Sequence, residues 1–251
     1  MRLLVLDFDG VISDSAPEAF AVALRAYVAL CPGAIFNAAD RALYERFLEM
    51  MPLGNRAEDY AVCLAAIEQE LTLPDQIAYD AFRASQDPKW LRRYHVRFYE
   101  ERAAWSHADP AGWRAALRPY THFADLLRRR AGARRYAIAT AKDRRSVTTL
   151  LRDYDLDALF EPELELDKET GVSKRSHHEM LARLTGVDYS EMTFLDDKVN
   201  HLDGVADLGV RCALSGWGYN GPREHALARA RGYPVCTPDD AERQLFGCAS
   251  S

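Results

Sequence analysis

Apolar residues follow two different rhythms along the chain. Leu3–Phe8 is a short apolar run ended by Asp9-Gly10, which predicts a buried strand that stops at a turn. From about Ala16 to Ala116, stretches such as EAFAVALRAYVAL and RAEDYAVCLAAIEQEL repeat apolar residues every three or four positions, and prolines separate the stretches. No strand pattern interrupts them. This middle part is therefore predicted to be all-helical.

After Pro119 the pattern alternates between strands and helices. Glycine ends two of the helical stretches, and the strand-like runs are apolar throughout, as in a sheet that is covered on both faces. The predicted strands are RRYAIAT, MTFLDD, RCALSGWG and PVCTP, and the predicted helices are HFADLLRRRAG, DRRSVTTLLRDYDL, SHHEMLARLTG, HLDGVADLG and DDAERQLF. The fold class is thus α/β, with a doubly wound, parallel-sheet Rossmann-like core (1–15 and 117–251) and an inserted all-helical domain (16–116).

Composition narrows the class of protein. Of the 251 residues, 48% are hydrophobic and 28% charged, which is typical of a globular protein rather than a disordered one. The net charge of −6 argues against a general nucleic-acid binder. The five cysteines are scattered and odd in number, so they suggest neither a disulfide framework nor paired metal spacing. No apolar run is long enough for a membrane span, and MRLLVLDFDG is too short for a signal peptide, so we expect a cytoplasmic protein without a membrane partner.

Polar residues stand where the predicted strands end. In a parallel sheet ligands bind at the carboxyl ends of the strands, and residues two apart on a strand point the same way. Asp7 and Asp9 can therefore face one cavity, and Thr140 ends a second strand. A third strand ends in Asp196-Asp197. Each of these signals has a plain alternative, since Asp-Gly and Asp-Asp are common in turns and a threonine often caps a helix.

Taken together, these residues form the set that phosphoryl transfer requires. A carboxylate can act as nucleophile, further carboxylates hold a hard cation such as Mg²⁺, and hydroxyl or ammonium groups bind the phosphoryl oxygens. The basic residues comprise 27 arginines and only five lysines. Lys174, which precedes Asp197 at the start of the intervening helix, is the lysine that the order of segments favours.

The sequence resembles the haloacid dehalogenase superfamily, in its phosphoglycolate phosphatase and β-phosphoglucomutase-like branch, whose helical cap is inserted after the first strand. LDFDGVISDS resembles the first motif, with Asp7 at the nucleophile position and Asp9 at the acid/base position. AIATAK is similar to the second motif, with Thr140 in its hydroxyl position. Lys174 matches the third-motif lysine, and FLDDKVNHLDGVADLG resembles the fourth motif, with Asp197 at the metal-ligand position.

The resemblance implies a magnesium-dependent phosphatase that hydrolyses a small phosphorylated metabolite through an aspartyl-phosphate on Asp7. It implies Mg²⁺ as cofactor, with Asp7, Asp9 and Asp197 as ligands and Asp196 beside them. Ala141 replaces a common polar residue, so its contact to phosphate is expected from the backbone. His201 stands where relatives usually carry Asp or Asn.

Two other positions concern the third motif and the inserted domain. Lys168 is a poorer match to the third-motif lysine than Lys174, and Arg175 stands where a proline is frequent. In the inserted domain, the segment around Pro52–Asp59 separates two helical stretches, with Asn55 as a candidate helix cap. A similar loop reaches the active site in relatives, so we expect Arg56 to bind a distal anionic group of the substrate.

Alternatives to a phosphatase remain at this point. A phosphomutase has nearly the same first motif and transfers the phosphate to a second sugar hydroxyl. Cleavage of a carbon–phosphorus bond requires a lysine early in the cap, whereas Lys89 is the one lysine in that segment. A dehalogenase lacks the paired aspartates of the fourth motif. A non-catalytic binding module on the same fold would not need to retain the motif residues.

Overall fold

The structure is a computed structural model that describes residues 2–34, 36–37, 40–54, 56–171 and 173–247. The chain divides into two units, Met1–Asp14 together with Arg118–Ser251, and Ser15–Leu117. The first unit is therefore built from both ends of the chain, and the second is an insertion. The domain boundaries 1–15, 16–116 and 117–251 stay a prediction about separate domains.

The first unit contains the predicted parallel sheet. Among the described residues, six strands pair in the order β5-β4-β1-β6-β7-β8, all parallel, and β2 and β3 form a separate antiparallel pair. The strands are β1 Leu3–Leu6, β2 Ser13–Asp14, β3 Arg118–Pro119, β4 Arg135–Ala139, β5 Phe160–Leu166, β6 Met192–Asp196, β7 Arg211–Ser215 and β8 Val235–Cys236. The helices are α1 Ala16–Leu30, α2 Arg41–Met50, α3 Ala57–Glu68, α4 Gln76–Ala84, α5 Pro88–Ala108, α6 Pro110–Ala115, α7 Thr121–Arg129, α8 Arg144–Asp153, α9 Lys174–Thr185, α10 Val199–Ala206, α11 Pro222–Ala230 and α12 Ala241–Phe246.

The apolar runs of the sequence form the central strands. All four side chains of β1 are fully buried, and the neighbouring strand β6 is buried throughout. Such a strand has no solvent face, because helices cover the sheet on both sides, and this explains why its sequence does not alternate. The fold class predicted from the sequence, a parallel-sheet Rossmann-like core with an inserted all-helical segment, is confirmed.

Strand β5 and helix α11 of the first unit escape the sequence prediction, as do the two-residue strands β2 and β3. Strand β5, with the sequence FEPELEL, carries exposed glutamates and Pro162 in its first half, and its pairing with β4 is irregular between Tyr136 and Ile138. It lies at the edge of the sheet, where a proline costs no ladder hydrogen bond and charged residues face water. Helix α11 was also not predicted, although Pro222 at its start is a usual helix signal.

The inserted unit, α1–α6, packs its helices through aromatic side chains. Phe20 of α1 contacts Phe47 of α2 with ring centroids 5.2 Å apart, Phe47 contacts Tyr60 of α3 at 5.6 Å, and Tyr60 contacts Phe98 of α5 at 5.4 Å. Aromatic pairs at such tilted geometries stabilise beyond the apolar area they bury. The chain of rings therefore joins four helices, and the all-helical prediction for this segment is confirmed.

A buried charge also ties these helices together. Glu18 of α1 is 2% exposed and accepts hydrogen bonds from Arg102 Nε of α5 at 2.6 Å and from Trp113 Nε1 of α6 at 3.0 Å. A buried carboxylate is tolerated when it is paired and hydrogen-bonded in this way. In the described part of the chain, no helix combines the length and the apolar character that crossing a membrane requires.

The buried imidazole of His178 on α9 predicts acid sensitivity. Its Nδ1 donates to Lys174 O at 2.8 Å, its ring packs against Phe194, and burial lowers its pKa from 6.5 to about 4. The unfolded chain therefore takes up this proton below pH 6.5, whereas the folded chain does so only near pH 4. Stability should fall as the pH falls through this interval, by about 3 kcal/mol at most from this one group.

Urea unfolding between pH 4 and pH 8 measures this loss. His178→Leu should flatten the pH dependence of the unfolding free energy relative to wild type, because the variant has no imidazole to protonate there. The control His107→Leu changes an exposed histidine of α5 and should keep the wild-type slope. Equal slopes in wild type and His178→Leu would contradict the assignment.

Candidate active site

The first two acidic strand ends meet because β1 and β6 are neighbours in the sheet. Their register pairs Leu6 with Leu195, so the next residues, Asp7 and Asp196, leave the sheet side by side. The Asp7 N–H donates to Leu195 O at 3.0 Å, which continues the ladder by one step. Asp7 is 7% exposed and Asp196 is fully buried. The sheet therefore holds two adjacent carboxylates away from water at its carboxyl edge.

Lys174 supplies the positive charge between these carboxylates. Its Nζ lies 2.8 Å from Asp7 Oδ1, 2.9 Å from Asp196 Oδ2 and 2.7 Å from Ala139 O, so each of its three N–H donors has an acceptor. Ser173 caps the start of α9 and so fixes the backbone from which the lysine projects. Lys168, the other candidate for the third-motif lysine, is exposed in the loop after β5.

Charge and burial oppose each other in this cluster. Burial raises the pKa of Asp7, and the Lys174 ammonium only partly offsets this. For Asp196 burial acts in the same direction, but Lys174 and then His201 outweigh it and hold the pKa of Asp196 well below its ordinary value. Burial acts to lower the pKa of Lys174, yet Asp196 and Asp7 keep it above its usual range. Lys174 is therefore charged. Its charge helps to lower the pKa of Asp196 below the ordinary value, whereas the pKa of Asp7 stays raised.

Hydrogen bonds surround the Asp196 carboxylate. Oδ1 accepts from the Lys198 N–H at 2.9 Å and faces His201 Nδ1 at 3.0 Å, while Oδ2 faces Lys174. Ligand atoms of Asp7, Asp196 and His201 all lie within 4.8 Å of one another, which is close enough for the three to hold a metal ion. His201 thus takes part in the cluster through Asp196.

Asp197 lies on the other side of this strand end, against two glycines. Its Oδ2 accepts from the Tyr219 N–H at 3.1 Å, in the loop after β7. A Cβ on Gly10 would lie 2.4 Å from this oxygen, and a Cβ on Gly218 would lie 2.4 Å from both Asp197 Cβ and Gly10 O. Burial first, and then Asp196 and Asp7, raise the pKa of Asp197 well above its ordinary range. Asp197 is therefore a buried carboxylate whose charge the protein leaves largely uncompensated.

The end of β4 presents hydrogen-bond donors. Thr140 is 2% exposed, and its Oγ1 accepts from the Lys142 N–H at 3.2 Å, which leaves the hydroxyl hydrogen available to donate. Ala141 is exposed in the same loop, and its N–H has no acceptor in the described ranges. These two groups suit an anion, as the sequence predicts for the second motif.

Asp9 has a partner that the sequence prediction missed. Lys142 Nζ lies 2.9 Å from Asp9 Oδ1 and 3.3 Å from Oδ2, and the lysine side chain is only 3% exposed. Two features of the sequence point to Lys142 in retrospect. It is one of five lysines in the chain, and it follows Thr140 by two residues at a strand end. Neither feature says that the side chain turns toward the first motif.

Arg56 belongs to the inserted unit. It precedes α3 as its N-cap residue, its N–H donates to Asp59 Oδ2 at 3.0 Å, and its guanidinium lies 4.0 Å from Glu58 Oε1. Its side chain is 74% exposed. Asn55, the candidate cap from the sequence, lies outside the described residues. Arg175 forms an exposed ion pair with Asp207.

Comparison with known proteins identifies the family. A family model described as haloacid dehalogenase-like hydrolase matches residues 1–209. The chain belongs to the haloacid dehalogenase-like hydrolases. As a member of this family it is a hydrolase, and its acidic Asp7/Asp196 cluster is consistent with the active site of such an enzyme. None of the curated protein sequences compared with the chain matches it significantly.

Solved structures of similar fold cover nearly the whole haloacid dehalogenase-like chain. A candidate phosphoglycolate phosphatase from Lactobacillus delbrueckii subsp. bulgaricus is 14% identical, with a TM-score of 0.71 over 98% of this chain and 99% of its own. A predicted phosphoglycolate phosphatase from Haemophilus somnus is 18% identical, with a TM-score of 0.61 over 96% of both chains. A candidate β-phosphoglucomutase from Thermotoga maritima is 17% identical, with a TM-score of 0.59 over 99% and 100%. At these identities the likeness shows the fold.

The contact between Gly10 and Asp197 yields a prediction. Gly10 has φ +78°, and Gly132 has φ +79° with nothing within 4 Å of a Cβ, so an alanine meets the same backbone strain at both positions but a clash only at Gly10. Gly132→Ala should cost about 1 kcal/mol of unfolding free energy, and Gly10→Ala should cost more. Chemical denaturation measures both. Gly10→Ala should also lower hydrolase activity, since it displaces the Asp197 carboxylate; equal behaviour of the two variants would refute the contact.

Proposed function

We propose that this hydrolase is a magnesium-dependent phosphatase that cleaves a small phosphomonoester through an aspartyl-phosphate on Asp7. The observation that carries the proposal is the asymmetry of the Asp7 carboxylate. The Phe8 N–H at 2.7 Å and Lys174 Nζ at 2.8 Å both bond Oδ1, and within the described residues no donor reaches Oδ2. An oriented carboxylate with one free oxygen is the arrangement that a nucleophile requires.

The neighbouring groups supply the other parts of the reaction. Asp7 Oδ2 attacks phosphorus, and Asp9, two residues on, gives its proton to the leaving oxygen. Asp9 then takes a proton from the water that hydrolyses the aspartyl-phosphate. The Thr140 hydroxyl and the Ala141 N–H donate to the phosphoryl oxygens. Lys174 offsets part of the negative charge of the cluster, since its Nζ contacts both Asp7 and Asp196.

The donor set fits a Mg²⁺ ion. Asp7, Asp196 and Asp197 are buried together, and the pKa values of Asp7 and Asp197 are both raised, mainly by burial and also by nearby carboxylates. Asp196 already has both Lys174 and His201 as partners, whereas Asp7 shares Lys174 with it and the pKa values of Asp7 and Asp197 stay raised. We therefore assign these two, with the Asp9 carbonyl, as the ligands, and Asp196 as their charged neighbour. The ion would supply charge neutralisation for the attacking carboxylate and the phosphate.

The nucleophile is tested by Asp7→Asn. The purified protein is screened against phosphorylated metabolites with and without Mg²⁺, and the variant is assayed on the best substrate. Activity should fall on the order of 10³-fold or more, because an amide is a poor nucleophile. Unchanged thermal unfolding is the control for folding. A variant that keeps a tenth of the wild-type rate contradicts the mechanism, and release of a rearranged sugar phosphate instead of inorganic phosphate would mark a phosphomutase.

The two adjacent aspartates should respond differently to metal. Asp197→Asn removes a proposed ligand, so the Mg²⁺ concentration for half-maximal activity should rise at least about tenfold. Asp196→Asn is the matched variant one residue away, and it should lower kcat with a smaller effect on the Mg²⁺ requirement. Mg²⁺ titrations of steady-state activity measure both. If Asp196→Asn raised the Mg²⁺ requirement more than Asp197→Asn, the metal would instead be assigned to the group of Asp7, Asp196 and His201.

We also propose that Arg56 binds a distal anionic group of the substrate, because its guanidinium is exposed and its one ion pair among the described residues is the 4.0 Å contact to Glu58. Arg56→Ala should raise KM for the best metabolite about tenfold or more, while p-nitrophenyl phosphate is hydrolysed as by wild type. Arg41→Ala, which removes another exposed arginine of the same unit, is the control. Unchanged KM in Arg56→Ala would exclude this role.

A further inference from the structure

We propose that Lys142 is a positioning residue for the acid/base step and acts through Asp9. The inference rests on the proposed function, in which Asp9 exchanges a proton with the leaving group and then with water. It assigns a role to a buried cation that the mechanism above does not use. The observation that supports the inference is the ion pair between Lys142 and Asp9.

The difference in burial between the two side chains indicates that Lys142 positions Asp9 and not the reverse. The Lys142 side chain is 3% exposed, whereas that of Asp9 is 32% exposed. The lysine is fixed by its surroundings: its N–H donates to Thr140 Oγ1, and its ammonium lies 5.9 Å from the centre of the Phe8 ring. A buried ammonium needs a partner, while a partly exposed carboxylate can turn to water instead. Lys142 therefore sets where the Asp9 carboxylate stands.

The two buried lysines of the site differ in what they hold. The three N–H donors of Lys174 bond Asp7, Asp196 and Ala139 O. The Lys142 ammonium bonds Asp9 alone among the described residues, through both carboxylate oxygens. Lys174 thus belongs to the nucleophile and Lys142 to the acid/base residue.

This pairing matches the proton balance of the reaction. When Asp7 attacks phosphorus, the bond to the leaving oxygen breaks and that oxygen takes the Asp9 proton, so Asp9 becomes a carboxylate beside the Lys142 ammonium. In the second step this carboxylate removes a proton from water as the water oxygen attacks phosphorus, and the bonding electrons return to Asp7. Lys142 keeps the Asp9 carboxyl group in place, within reach of the leaving oxygen in the first step and of the water in the second.

A double-mutant cycle tests the inference. Single-turnover release of the leaving group is measured for wild type, Lys142→Met, Asp9→Asn and the double variant, each with an alkyl phosphate and with p-nitrophenyl phosphate. Lys142→Met should slow transfer from the alkyl phosphate about tenfold or more, and transfer from p-nitrophenyl phosphate less than about threefold, because its leaving group needs no proton. In the Asp9→Asn background, Lys142→Met should change either rate by less than about threefold.

The opposite outcomes overturn the inference. An equal loss on both substrates, or the same fold-loss with and without the Asp9 carboxylate, would mean that Lys142 binds phosphate directly or only supports the fold. Lys142→Arg keeps a charge and should recover part of the alkyl-phosphate rate. The neutral variant Lys142→Gln replaces Lys142→Met in the cycle if that variant does not fold. Lys89→Met, in the inserted unit, controls for the loss of a lysine as such.

Failure of the inference and failure of the proposed function are separable. If wild type shows no Mg²⁺-dependent phosphomonoester turnover, or if Asp7→Asn remains active, the proposed function is wrong and the inference falls with it. If those two tests succeed and the cycle is additive, only the role of Lys142 is wrong.

Discussion

The site depends on one constraint: three buried carboxylates share the carboxyl edge of the sheet with too little positive charge. Lys174 can neutralise only part of the negative charge of Asp7, Asp196 and Asp197, and the raised pKa values of Asp7 and Asp197 show the shortfall. Burying uncompensated charge costs several kcal/mol or more, so the arrangement persists only if it serves something else. A divalent cation is the partner that would balance it.

The sheet and its loops enforce this crowding. The register of β1 against β6 sets Asp7 beside Asp196, and no rotation of a side chain can separate their backbones. Ser215 Oγ donates to Gly10 O at 2.8 Å, and the Asn220 amide donates to Asp197 O and to Ser215 O. Gly10 and Gly218 leave room for the Asp197 side chain where a Cβ would collide with it. Strand register, the hydrogen bonds of these loops and the space left by two glycines therefore set this geometry together.

The sequence predicts those features of the site and the fold that depend on the order of residues along the chain. Asp7, Thr140 and Asp197 stand at strand ends, and the buried strands are apolar enough to be found. Strand β5 was missed because an edge strand tolerates Pro162 and alternating glutamates, a pattern that does not distinguish it from a loop. The contacts of His201 and Lys142 depend on side-chain directions in loops, which no spacing rule encodes. Nor does a sequence tell which of two adjacent aspartates receives the lysine.

The two lysines show why residue type alone does not assign a role. Both are buried and both pair with an aspartate of the first motif, yet their partners differ in freedom. Asp7 and Asp196 are fixed by the sheet, so Lys174 with its three acceptors forms a static link. Asp9 lies beyond the end of β1 and its side chain is partly exposed, whereas that of its partner Lys142 is buried. A nucleophile requires a fixed neighbour, whereas a group that must both give and take a proton requires one that tolerates its change of charge.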